Sequence, residues 1–144
     1  MMEEERSDPF DLQRFVDAQA PVFETACAEL KAGRKESHWM WFIFPQIEGL
    51  GRSPMAQRFA ISGRAEAEAY LRHPVLGPRL RRSTELVNAI EERSVHQIFG
   101  APDDMKFHSS MSLFGSIADD KQVFLAALRK YFRGGMDPKT LERL

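Results

Sequence analysis

Apolar residues recur at helical spacing through most of this chain. Leu12, Phe15 and Val16 share a face, and Phe23, Cys27 and Leu30 form an i, i+4, i+7 stripe beside Val22 and Ala26. Asp8-Pro9 predicts the first helix start, with Asp8 capping free amides and Pro9 in the first helical position. Pro21 restarts the helix, and Gly33 is its expected C-terminal stop. Further starts are expected at Ser53-Pro54, Ser62, Pro78, Ser94, Asp103-Asp104, Asp119-Asp120 and Asp137-Pro138, each followed by apolar residues at helical spacing. His73-Pro74, Gly100 and Gly134-Gly135 end segments.

One stretch breaks the pattern. Lys35 to Gln46 holds both tryptophans and two phenylalanines, shows no polar alternation, ends in Pro45-Gln46 and runs on to the turn Gly49-Leu50-Gly51. Periodicity does not separate a buried strand from a short helix here; Ser37 as N-cap favours the helix. A run this apolar has to be covered, so the expected core is Trp39, Trp41, Phe42, Phe44, Phe107, Phe114, Phe124 and Leu128. No strand pattern and no repeat is found. The expectation is an all-α fold: one compact domain over residues 8–144, built of about seven to nine short helices in non-bundle, orthogonal packing. Residues 1–7 are acidic, lack periodicity and are expected to be a disordered tail.

Composition changes this picture little. At 144 residues the chain can bury about two-thirds of its unfolded surface as one domain. A net charge of −1 gives no long-range attraction to nucleic acid or an anionic membrane, so neither is an expected partner. The lone Cys27 excludes an internal disulfide, and its place on an apolar stripe marks a buried thiol. With no secretory segment and no long apolar run, a soluble, cytoplasmic protein is expected. His38, His73, His96 and His108 lack ligand spacing, so neither metal nor cofactor is expected. A hydrolytic triad is not expected either, because no Gly-x-Ser-x-Gly elbow is present.

Several strings resemble a known family: Asp8-Pro9-Phe10-Asp11-Leu12-Gln13-Arg14-Phe15, Ser37-His38-Trp39-Met40-Trp41 and His73-Pro74-Val75-Leu76-Gly77. Phe99-Gly100 with Asp103, Asp104 and Lys106, and Ser109-Ser110-Met111 with Leu113-Phe114, add to the likeness. Together they are similar to the bacterial domain of unknown function 1810. The resemblance spans nearly the whole chain after the tail and implies a compact, mainly α-helical single domain. It implies no activity. Some bacterial members carry a calpastatin label, although calpastatin's inhibitory segments are disordered repeats and this chain is neither disordered nor repetitive.

The candidate chemistry lies in two polar sets flanking the aromatic stretches. Lys35, Ser37 and His38 lead into the first, and Gln46 leaves it; Asp103, Lys106, Ser109 and Ser110 open the second, beside Asp104 and His108. A ligand site, binding or catalytic, is expected where the two sets meet at the edge of the Trp39/Trp41 core. In that arrangement His38 transfers protons, Lys106 anchors an anion and Trp39 is a stacking wall for a planar or anionic small ligand. The ordinary alternatives are that Ser37 and Asp103 cap helices, His38 bonds a carbonyl, and both tryptophans are core. If the stretch is helical, residues two apart point about 200° apart, so the tryptophans cannot form one clamp. The rival expectation is a protein-docking module without chemistry, anchored by Met55, Phe59 or Met136.

Overall fold

The computed structural model describes residues 7–144, so the expected tail lies outside the described residues except for Ser7. The described residues form ten helices, rather than seven to nine, and no strand. In chain order these are α1 (Gln13–Gln19), α2 (Phe23–Lys31), α3 (Met40–Ile43), α4 (Pro54–Arg58) and α5 (Arg64–Arg72). They continue with α6 (Leu76–Asn88), α7 (Val95–Phe99), α8 (Asp103–Ile117), α9 (Gln122–Phe132) and α10 (Pro138–Glu142). None is long and apolar enough to cross a membrane.

Among the described residues, side-chain caps mark three of the ten helix starts, at Ser53, Ser94 and Asp137; the starts expected at Ser62 and Pro78 fall instead at Arg64 and Leu76. The Ser53 hydroxyl accepts the Ala56 amide at 3.1 Å, and Ser94 forms a reciprocal capping box with Gln97. Asp8 acts differently from expectation. Its carboxylate accepts the amides of Leu12 at 2.7 Å and Gln13 at 2.9 Å, but Asp11 adopts φ +53° in between. That left-handed residue delays the helix to Gln13. At the end of α2, Gly33 (φ +81°) donates to Leu30 O at 3.0 Å and Arg34 donates to Glu29 O at 3.1 Å, a Schellman closure. The reversed chain is then tied down, because the Lys35 amide donates to Ile98 O at 2.8 Å.

The aromatic stretch is one turn of helix, α3, between irregular segments. Ser37 does not cap it; Trp39 stands at the cap position, and the Ser37 hydroxyl donates to Glu29. Beyond α3 a single parallel bridge joins Ile47 to Ile61 and holds the Gln46 backbone in place, with Ile61 N–H donating to Gln46 O at 2.8 Å.

Helix α8 is the centre of the molecule, packing against α5, α7, α9 and α10. Phe44 stands edge-on to Phe107 (centroids 5.0 Å apart) and to Phe99 (5.9 Å), which welds the aromatic stretch to α8. Of the expected core, Trp39, Phe42, Phe44, Phe107, Phe114, Phe124 and Leu128 are buried, whereas Trp41 is half-buried. The expected docking anchors are corrected. Phe59 is buried between Phe15 and Phe42, and Met55 and Met136 pack against the core.

The α5–α6 corner is close-packed. A Cβ on Gly77 would sit 2.2 Å from the Leu71 carbonyl oxygen. Gly77→Ala is expected to lower the unfolding free energy by about 2–3 kcal/mol in urea denaturation. Gly63→Ala, with open space around the added carbon, should cost under about 1 kcal/mol.

Candidate functional site

The entrance to the aromatic stretch is organised by a residue that periodicity left unremarked, Glu29 on α2. Its carboxylate accepts the Glu36 amide at 2.8 Å, the Ser37 amide at 2.9 Å, the Ser37 hydroxyl at 2.5 Å and the Trp39 indole N–H at 2.9 Å. Partial burial alone would raise its pKa, but these four donors outweigh that and hold it at about 2.

The two polar sets meet at Asp103, the first residue of α8. Lys35 Nζ lies 3.0 Å from Asp103 Oδ2, and Lys106 Nζ lies 3.6 Å from Oδ1. Each ammonium also sits over an indole at 5.0 Å, Lys35 on Trp39 and Lys106 on Trp41. Lys35 is almost sealed and bonds the Ser37 carbonyl as well. It is a bolt between segments. Lys106 keeps more exposure and faces a cleft.

That cleft, about 220 Å³, opens between the start of α8, the Gln46–Gly51 loop and the start of α10. Leu50, Pro102 and Met105 supply apolar wall, and Gln46, Lys106, Ser109, Asp137 and Lys139 supply polar groups. Asp137 Oδ2 accepts the Ser109 hydroxyl at 3.2 Å, the Thr140 amide at 3.2 Å and the Thr140 hydroxyl at 2.7 Å. Burial would raise its pKa; the Thr140 and Ser109 donors and nearby His108 more than offset that, so it is lowered. His108 stacks flat on Phe132 at 4.0 Å and lies with Nε2 2.8 Å from Gly135 O. A carbonyl only accepts, so Nε2 carries the hydrogen.

Three expected roles do not survive this geometry. Trp39 is fully buried, with its N–H spent on Glu29, and offers no stacking wall. His38 is exposed and does not line the cleft; Ser37 and Trp39 on either side are tied inward to Glu29, which leaves the ring between them outside. Ser110, a candidate of the second polar set, does not reach the cleft: every residue from Ser109 to Gly115 is buried, because α8 is wrapped by four helices. Lys35, Ser37 and Asp103 serve the junction, while Gln46, Lys106 and Ser109 line the cleft. Among the described residues no three His, Cys, Asp or Glu side chains gather where a cation could be held.

The model of a family described as protein of unknown function (DUF1810) matches residues 9–144. The chain belongs to the DUF1810 family. A crystal structure of a conserved hypothetical protein from Mycobacterium tuberculosis matches it with a TM-score of 0.94. The two sequences are 56% identical, and the match covers 95% of this chain and 98% of that one. No curated protein matches the sequence. The family resemblance and the all-α expectation are both correct.

In this DUF1810 protein the cleft residues that sequence reasoning missed, Asp137 and Lys139, come from a helix start read only as a cap. A cap aspartate and an exposed lysine carry no local sign of what they face. Glu29 was equally silent, since its four bonds reach seven to ten residues ahead, beyond the three- and four-residue spacing at which side chains pair on a helix.

Proposed function

We propose that this protein binds a small ligand in the cleft between α8, the Gln46–Gly51 loop and α10. The observation that carries this reading is spare hydrogen-bonding capacity from three separate chain segments in one largely apolar recess. Among the described residues, the Gln46 amide, the Lys139 ammonium and Asp137 Oδ1 have no partner in the fold. Lys106 adds a cation held by a loose i, i+3 pair and by the face of the Trp41 indole. The reading is binding: His38 lies outside the recess, and His108, which lines it, is stacked on Phe132 and bonded through Nε2 to Gly135 O. We place the protein in the cytoplasm, consistent with a lone buried thiol at Cys27.

A thermal-shift screen against anionic and planar metabolites tests the reading. A ligand at a hundredfold its Kd should stabilise the native state by about 2.7 kcal/mol. Lys106→Ala should abolish that shift while changing the free protein's stability by about 1 kcal/mol, since it removes a partly exposed ion pair and a partly exposed cation–π contact. A shift that persists in Lys106→Ala, or one that vanishes in His38→Ala, contradicts the proposal.

A second reading, protein docking, is favoured by one observation: Met105 is 69% exposed on the cleft rim. Met105→Glu should then abolish a partner's binding, whereas a small polar ligand should still shift the melting temperature.

A further inference from the structure

We propose that the ligand is an amphipathic monoanion, a small organic acid whose carboxylate is held by Lys106 and Lys139 and whose apolar body rests on Leu50, Pro102 and Met105. This inference rests on the binding reading above and narrows it to a chemical class.

Charge is the first argument. Lys35 and Asp103 pair at 3.0 Å and balance one another. Among the side chains that line the recess, the cations Lys106 and Lys139 stand against the carboxylate of Asp137. That leaves one positive charge in excess there, and a monoanion balances it.

The second argument is the wall. Met105 stands 69% exposed where the recess opens, beside Leu50 and Pro102. An ion with no apolar part would leave that surface wet, and an apolar body removes it from water.

Size is the third. A recess of about 220 Å³ lies below the range of about 300–1,000 Å³ usual for drug-sized ligands, which suits a small acid.

Trp41 Nε1 is sealed from solvent and has no acceptor, and the crevice that Trp41 borders beside Gln46 and Gly51 offers only about 10 Å³, so the indole is a neighbour of the cleft and not a ligand contact. The same indole is a reporter, because Lys106 rests on its face.

Calorimetric titration of the full chain with benzoate, benzamide and inorganic phosphate tests the inference, read alongside tryptophan fluorescence. Benzoate should bind in the millimolar range expected of so few atoms. It should bind about tenfold or more tighter than benzamide, the discrimination a charged hydrogen bond gives, and tighter than phosphate. Lys106→Gln and Lys139→Gln should each weaken benzoate about tenfold. Emission should change as Lys106 leaves the Trp41 ring, and Trp41→Phe should silence that response. Equal binding of benzamide overturns the anion class and leaves a ligand site standing. Phosphate binding as tightly as benzoate overturns the apolar half. No benzoate binding, or binding unaffected by both lysine variants, overturns the inference outright; the wider metabolite screen then decides the binding reading separately.

Discussion

Glu29→Ala is expected to destabilise the protein by about 3 kcal/mol, because it strands buried donors that a charged acceptor now satisfies. The heaviest loss is at Trp39, fully buried, whose indole N–H donates to Glu29 at 2.9 Å. The Ser37 hydroxyl and two backbone amides lose the same acceptor. A pH signature accompanies the loss. Glu29 sits at about 2 in the folded protein against a reference of 4.5. A folded value below the unfolded one stabilises the fold fully above the reference and loses that contribution as the pH falls from about 4.5 to about 2. Urea denaturation at stepped pH should therefore show an acid-labile limb in the native sequence, flattened in Glu29→Gln. An unchanged limb would mean that the four hydrogen bonds contribute nothing to stability.

Arg14→Met should cost about 3–5 kcal/mol, the range for breaking one side of a buried ion pair. Arg14 Nη2 lies 3.0 Å from Glu66 Oε2, and Glu66 is only 3% exposed. The same guanidinium donates to Arg58 O at 2.8 Å, Ala60 O at 2.8 Å, Phe10 O at 2.5 Å and Asp11 O at 2.8 Å. It thus ties α1 to the loop between α4 and α5. Removing it leaves the Glu66 carboxylate with the Ser62 amide as its remaining donor, and takes a charged donor from four carbonyls. The double variant Arg14→Met/Glu66→Leu should recover part of the loss, since no buried charge remains. A single-variant loss under about 1 kcal/mol would place the pair with ordinary surface bridges.

Both predictions concern residues whose partners lie far along the chain, and that is where sequence reading ran out. Ser53, Ser94 and Asp137 announced their caps because each bonds an amide three residues ahead. The stripe of Phe107, Met111 and Phe114 was legible for the same reason: helical spacing is local, and all three are buried. Ser110 misled because spacing describes one helix and not how many neighbours surround it; α8 is covered almost all round. His38 misled because it adjoins Trp39 in sequence, yet Glu29 bonds the residues on either side of it and not the ring. The meeting of Lys35 and Lys106 at Asp103 was foreseeable in outline, as two polar sets flanking one aromatic core. The third wall of the cleft was not, since Asp137 lies twenty-eight positions after Ser109, with all of α9 between them.

The central claim is that this three-sided recess, and no other face, receives the ligand. Amide chemical shifts recorded while titrating the compound that most raises the melting temperature test it most directly. The account predicts that the largest changes fall at Gln46, Leu50, Lys106, Ser109 and Lys139, with His38 unmoved. Changes centred on His38, or scattered away from the start of α8, would contradict it.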